Sequence, residues 1–154
     1  MSWLDYVNFL RDNNVCDAAA VLNCADGSLV AGDNFSICAY QLALPSEDGR
    51  GTSTVNVNEA ALIMEAFKTG TVTAPTGLRL SGIKFQIVRF DEDEQTLYLK
   101  KPKGGACAVK TKKTILIGSY NQEEMIKGKN VPQNAGDTNA VVEKLAKILK
   151  DATY

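Results

Sequence analysis

The chain contains no histidine among its 154 residues, and this absence limits the chemistry that it can perform. Histidine is the most common general base in enzymes, the usual partner of a serine or cysteine nucleophile, and the commonest metal ligand. The four cysteines, Cys16, Cys24, Cys38 and Cys107, include no C-x-x-C pair. We therefore expect reduced, mostly buried thiols, no metal site, no cofactor, and a protein that is not an enzyme.

Long apolar runs are also missing, since no segment approaches the ~20 apolar residues of a transmembrane helix. The N-terminus has no basic start and reaches an acid at Asp5, which argues against a signal peptide. Hydrophobic residues make up 45% of the chain and charged residues 23%, as in ordinary globular domains. We predict one domain over residues 1–154, located in the cytoplasm.

Charge is distributed unevenly along the chain, although the formal net charge is only −1. Residues 1–59 carry eight acids and two bases, whereas residues 60–135 carry seven acids and twelve bases. Such asymmetry is typical of a surface that meets a charged partner, with ordinary solvated lysines as the alternative. Nucleic acid is not the expected partner, because the basic segment lacks interleaved aromatic residues and the whole chain is acidic.

Helix and hairpin signals organise the first half of the chain. Ser2 and Asp5 predict a helix start, and Trp3, Tyr6, Val7 and Leu10 form one apolar face behind it. The Asp26-Gly27 turn predicts a β-hairpin between 18–24 and 28–32. A short helix is predicted within 35–44 and a loop over 45–54. Asn56 is predicted to cap the next helix, which Gly70 ends.

The second half predicts an antiparallel meander followed by a helix. Five strands are expected, at 78–80, 83–90, 96–101, 106–110 and 114–119. The polar segment 121–136 is long for a loop in a compact domain, so we expect it to be functional or mobile. Asp137 is predicted to cap a final helix. This order of elements indicates an α+β fold with helices packed on an antiparallel sheet.

Several motifs in order along the chain resemble those of the profilin family. Residues 2–7, Ser-Trp-Leu-Asp-Tyr-Val, are similar to the family's start, and Asp26-Gly27-Ser28 to its first hairpin. Residues 74–85 resemble its Ala-Pro-x-Gly-Leu stretch, residues 100–105 its lysine-rich Gly-Gly turn, and residues 139–145 its last helix. The resemblance implies a central antiparallel sheet of about six to seven strands. The N- and C-terminal helices would pack on one face and shorter helices on the other.

The resemblance implies a groove for polyproline between the first and last helices. Polyproline is a stiff left-handed helix with unpaired carbonyls. A protein that binds it therefore needs aromatic ring faces and side-chain hydrogen-bond donors. The implied groove residues are Trp3, Tyr6, Val30, Ile148, Leu149 and Tyr154. Val30 stands where the family usually has a second tryptophan, which predicts weaker or differently selective proline binding. The alternative for Trp3 and Tyr6 is that they only pack the core.

The resemblance also implies a surface for monomeric actin. The positions that match are Lys84, Arg89, Lys101 and Asn139, and basic residues suit an acidic partner. Strict alternation along 83–90 would place Lys84 and Arg89 on opposite faces, so both can meet actin only if a bulge or strong twist intervenes. The segment 121–136 is longer than in most profilins and leads into Asn139, where it could add contacts.

The function implied by the resemblance is the regulation of actin polymerisation by delivery of monomers to proline-rich assembly factors such as formins. Family members also bind phosphoinositide head groups, and six lysines cluster in this sequence near two turns, at 100, 101, 103, 110, 112 and 113. Exposed lysines without a lipid ligand are the alternative. A different class of function is a scaffold module of similar build in membrane traffic or small-GTPase complexes, which would not need exposed Trp3, Tyr6 and Tyr154.

Overall fold

The computed structural model describes residues 2–154 and contains three α-helices, one short 3-10 helix (Asp12–Asn14) and eleven strands in that range. The helices are α1 (Trp3–Arg11), α2 (Glu59–Thr69) and α3 (Ala135–Asp151). The strands of the first half are β1 (Ala18–Asn23), β2 (Leu29–Asp33), β3 (Ala39–Pro45) and β4 (Thr52–Asn58). Those of the second half are β5 (Leu78–Leu80), β6 (Ile83–Asp91), β7 (Thr96–Lys101), β8 (Gly104–Lys110), β9 (Thr114–Asn121), β10 (Met125–Ile126) and β11 (Val131–Pro132).

Side-chain caps fix the start of each helix. Ser2 caps α1 through a capping box in which its hydroxyl accepts from the Asp5 amide and Asp5 accepts from the Ser2 amide. Asn58 caps α2, so the prediction of Asn56 was wrong by two residues. Asn134 caps α3. Asp137, predicted as that cap, instead lies in the first turn, where its amide donates to Asn134 Oδ1.

Seven strands form one antiparallel sheet in the order β2-β1-β9-β8-β7-β6-β5. The predicted first hairpin and all five predicted strands of the meander belong to it, which confirms the α+β fold. The sequence prediction was wrong over residues 35–44, where β3 replaces the expected helix. β3 pairs with β4 as a separate two-stranded sheet, so the predicted loop over 45–54 ends in a strand.

The sheet is covered on both faces, and its central strands β8 and β9 are therefore buried along almost their whole length. α1 and α3 pack on one face over a cluster that includes Val21, Leu116 and Leu145. The other face packs against α2, with Tyr40 and Leu42 of β3 at its margin. This face therefore carries one helix and a hairpin, and not the several short helices that were predicted.

Close approach of α3 to the sheet depends on a glycine in β9. A Cβ atom at Gly118 would lie 2.7 Å from Val142 Cγ2 and 3.0 Å from the sulfur of Cys16. Any larger residue would push α3 away from the sheet.

A buried carboxylate joins three elements beneath the α2 face. Glu59 is fully buried and accepts from the Cys38 amide at 2.9 Å, the Gly82 amide at 2.8 Å and the Tyr40 hydroxyl at 3.2 Å. Arg79 Nε donates to the same hydroxyl at 2.9 Å. These bonds hold the start of α2, the β3 strand and the β5–β6 turn together.

The long segment before α3 is ordered by contacts with the connection between α1 and β1. Gln133 is fully buried, accepts from the Asn121 amide at 2.9 Å and donates to the carbonyl of Asn14 at 2.7 Å. Asn14 in turn donates to the carbonyl of Met125 at 2.8 Å. The segment forms the β10–β11 hairpin and is not a structureless loop.

All four cysteines are free thiols, and two of them are buried. Burial raises the pKa of Cys16 to about 12 and that of Cys107 also well above its ordinary value. Cys24 and Cys38 are half-buried. Across residues 2–154, no helix has the length and apolar character to cross a membrane, and no acidic or cysteine side chains gather into a metal-binding group.

Candidate functional site

Three aromatic side chains meet where the two ends of the chain come together, and we call Trp3, Tyr6 and Tyr154 the aromatic cluster. The rings of Trp3 and Tyr6, one turn apart on α1, have centroids 5.3 Å apart. The ring of Tyr154 meets Trp3 edge-on at 6.2 Å. Within residues 2–154, the indole N–H of Trp3 and the hydroxyl of Tyr6 donate to no protein acceptor, and both side chains are half-buried.

Main-chain bonds hold Tyr154 in this position after the end of α3. Its amide donates to the carbonyl of Leu149 at 2.8 Å. Its carbonyl oxygen accepts from the Lys113 amide at 2.6 Å and from the Thr111 hydroxyl at 2.9 Å. The ammonium of Lys113 lies 4.8 Å from the centroid of the Tyr154 ring, a cation–π contact. The β8–β9 turn therefore contributes a charged side chain to the aromatic cluster, which sequence reasoning had not placed there.

The three apolar residues predicted beside the aromatic cluster lie in different settings. Leu149 is 1% exposed and belongs to the core, so it supports α3 from beneath and offers no surface to a ligand. Ile148 is 45% exposed and follows Lys144 by one turn, and Lys144 lies over Phe9 of α1. Ile148 therefore lies on the flank of α3 that faces α1. Val30 is 45% exposed and is the extra residue at a bulge in the edge strand β2.

A second candidate surface lies on the opposite flank of α3, where β6 and β7 extend beyond the helix. A register shift between Ile87 and Arg89 interrupts the alternation of β6. Phe85, Ile87 and Phe90 consequently all pack toward α2, which leaves Lys84 and Arg89 on the other face. The bulge that the sequence analysis required is present.

Lys84 and Arg89 share this face with Lys100 of β7 and Asn139 of α3, and we call these four residues the basic face. Arg89, Lys100 and Asn139 line a cavity of about 800 Å³. The guanidinium of Arg89 lies 5.4 Å from the centroid of the Tyr98 ring and 3.6 Å from Asp91, and its side chain is 67% exposed.

A short hydrogen bond ties this cavity to α3. The Tyr98 hydroxyl donates to Glu143 Oε1 at 2.6 Å. This bond, followed by burial, raises the pKa of Tyr98 well above its usual range. Tyr98, Glu143 and Lys100 were not among the predicted actin-binding residues. Only Lys100 carried a sequence signal, as part of the lysine cluster.

Lys101, predicted together with Lys84 and Arg89, points to the other face of the sheet. Its side chain is 13% exposed, its Nζ lies 4.0 Å from Asp17 Oδ2, and it is 5.7 Å from the centroid of the Phe85 ring. Side chains alternate along β7, so Lys101 shares the face of the buried Leu97 and Leu99, whereas Lys100 points outward. The Lys101 side chain therefore points away from that of Lys100, although Lys101 also lines the cavity of about 800 Å³.

The six lysines that cluster in the sequence do not form one patch. Lys100, Lys101 and Lys103 precede β8, whereas Lys110, Lys112 and Lys113 lie at its other end. A strand of this length separates its ends by roughly 20 Å. Lys103 also forms a 2.8 Å ion pair with Glu123, which raises the pKa of the lysine and lowers that of the glutamate.

Comparison with known proteins decides the family. The Profilin family model matches residues 1–154. The chain belongs to the profilin family. Among curated proteins it is similar to profilin from Tetrahymena pyriformis, with 34% identity over 99% of this chain and 98% of the relative. Among solved structures it is similar to Acanthamoeba castellanii profilin IB, with a TM-score of 0.72 and 26% identity over 99% of this chain and 100% of the other.

Two more distant solved profilins share the fold of this profilin. One is mouse profilin IIa in complex with a double repeat from the FH1 domain of mDia1, with a TM-score of 0.61 and 14% identity over the full length of both chains. The other is LokiProfilin2 in complex with rabbit actin, with a TM-score of 0.59 and 18% identity over 96% of this chain and 95% of that one.

Proposed function

We propose that this profilin binds monomeric actin through the basic face and proline-rich segments through the aromatic cluster. It would thereby regulate actin polymerisation and deliver monomers to assembly factors such as formins, in the cytoplasm and at the cytoskeleton. The observation that carries the proposal is the aromatic cluster itself, whose indole and hydroxyl donors are free. The mouse and LokiProfilin2 complexes, with an FH1 repeat and with actin, concern relatives of the same fold.

The aromatic cluster suits a polyproline helix for physical reasons. Proline rings stack on flat aromatic faces, and the carbonyls of the ligand have no internal partners. Trp3 and Tyr6 provide two rings whose centroids lie 5.3 Å apart, and each side chain carries a hydrogen-bond donor. A pair that served only the core would bury these donors or bond them within the protein.

The basic side chains of the basic face suit an acidic protein partner. Arg89 is largely exposed, and Lys84 shares its face because of the β6 bulge. Charged groups at an interface steer association and fix its orientation. Asn139 adds an amide from the start of α3 on the same side of the cavity.

Phosphoinositide head groups are a further proposed ligand. Lys110, Lys112 and Lys113 group at one end of β8, and each lysine near an anionic membrane surface contributes about 1 kcal/mol. This site would lie beside the aromatic cluster, because Lys113 contacts Tyr154.

A polyproline titration tests the proposal. The intrinsic fluorescence of Trp3, the single tryptophan, should change and saturate as polyproline is added. Tyr6→Ala should weaken binding by about 2 kcal/mol, roughly thirtyfold, because it removes a ring and a donor. Leu4→Ala is the matched control, because Leu4 is an exposed residue of α1 outside the aromatic cluster. No saturable change in the parent protein, or equal effects of the two variants, would contradict the proposal.

A further inference from the structure

We infer that Lys113 makes the aromatic cluster selective for proline-rich segments that carry an acidic residue next to the proline run. The inference rests on the proposed proline-binding function and adds the chemistry of the preferred partner. Its basis is the 4.8 Å contact between the Lys113 ammonium and the ring of Tyr154.

The lysine is held at this position by the main chain. The Lys113 amide donates to the carbonyl oxygen of Tyr154 at 2.6 Å, and the Thr111 hydroxyl donates to the same oxygen. The β8–β9 turn and the residue that carries the ring therefore form one unit. The exposed Lys113 side chain lies along the ring and does not extend freely into solvent.

Carboxylates of α1 and α3 are bound within their own helices or caps, and Lys113 pairs with none of them. Asp5 accepts from the Ser2 amide in the cap of α1. Asp151 pairs with Lys147 at 3.0 Å. Within residues 2–154, neither Lys112 nor Lys113 forms an ion pair with a carboxylate. Neither lysine is therefore neutralised by an ion pair with a side-chain carboxylate.

The geometry brings this charge within reach of a ligand. The ring centroids of Trp3 and Tyr154 lie 6.2 Å apart with the ring planes at 85°, and the Lys113 ammonium lies over the Tyr154 ring. A proline that contacts Tyr154 therefore lies beside a cation. Because a polyproline helix rises ~3.1 Å per residue, a carboxylate one or two positions beyond that proline can reach the ammonium. A lysine or arginine at the same position would be repelled.

Peptide selectivity tests the inference. Labelled peptides of about ten prolines would carry aspartates, asparagines or lysines at either end, and their anisotropy would report binding. At about 0.15 M salt we expect the acidic peptide to bind about two- to fivefold tighter than the neutral one, as for one exposed ion pair. Lys113→Gln should bring this ratio close to one. Lys112→Gln makes the same change of charge one residue away, at a lysine that does not lie over the Tyr154 ring. This variant should keep the preference for the acidic peptide.

The outcomes separate this inference from the proposed function. If no peptide binds the parent protein, the proline-binding function itself fails. If all three peptides bind with equal affinity, only the selectivity inference fails. The inference is also overturned if both lysine variants lose selectivity equally. It is overturned as well if Lys113→Gln weakens binding to phosphoinositide vesicles but leaves peptide selectivity unchanged.

Discussion

Adjacent lysines in β7 have different surroundings. We therefore expect one to contribute to partner binding and the other to the stability of the fold. Lys100 points outward on the basic face, whereas Lys101 is almost buried beside Asp17 and Phe85. The role of each charged residue near the cavity therefore depends on which face of the sheet it occupies.

Charge reversal on the basic face should weaken actin binding and leave the fold intact. Arg89→Glu removes an attraction and adds a repulsion at an exposed site, so we expect a loss of several kcal/mol in actin affinity. Lys84→Glu should act in the same direction.

Lys101→Glu should instead lower the thermal stability, because it would place a second carboxylate beside Asp17. Monomer sequestration at low and physiological salt, with melting curves, distinguishes these effects. Normal sequestration by Arg89→Glu at both salts would refute the assignment of the basic face.

Helical spacing predicted that Trp3 and Tyr6 lie together, and the resemblance to profilins added Tyr154. The structure brings the three rings together. The direction of the Lys101 side chain could not be predicted in the same way, because it depends on which face of β7 packs against the core. The contact of Lys113 with Tyr154 joins residues far apart in the chain, and no local pattern signals it.

At the level of elements, the buried amide side chain of Gln133 is one of the anchors of the β10–β11 hairpin. Gln133→Ala should destabilise the fold by about 1–3 kcal/mol, because it leaves half-buried main-chain groups at Asn14 and Asn121 without their protein partner. Gln122→Ala, an exposed glutamine of the same segment, should be close to neutral. Denaturant unfolding of both variants measures the difference. Equal midpoints would show that Gln133 does not anchor the hairpin.

The start of α3 should lose stability in acid. The Asn134 side chain, and then Lys129, hold the pKa of Asp137 below its ordinary value of 3.8. A carboxyl with a lowered folded pKa stabilises the protein above pH ~3.8 and loses this contribution as the pH falls through the folded value. Asp137→Asn should therefore melt below the parent at pH 6, and the difference should shrink toward pH 2. A difference that is constant with pH would rule out this contribution.

The strands of the meander could be predicted because each alternates or is β-rich and is bounded by turn residues. The helix predicted within 35–44 was wrong for an identifiable reason. Alanine, leucine and glutamine favour helices, yet Tyr40, Leu42 and Leu44 recur with the period of a strand and pack inward. Their partner β4 lies beyond a polar turn, so the pairing that decides the structure is not local.

At the level of the whole molecule, α3 separates the two proposed binding surfaces. Asn139 and Glu143 lie on the flank beside β6 and β7, and Ile148 on the flank that faces α1. The buried stripe of the helix, with Val142 and Leu145, fixes both flanks relative to the sheet. Two partners on opposite flanks of one rigid helix are expected to bind without mutual exclusion.

Simultaneous binding is the central claim, and one measurement tests it directly. The anisotropy of a labelled proline-rich peptide is recorded as this profilin and then monomeric actin are added. We predict a rise with profilin and a further rise with actin, because the peptide remains on a larger complex. Arg89→Glu should reduce only the second rise. A return of the anisotropy to the value of the free peptide when actin is added would show that the two partners compete, and would contradict the account.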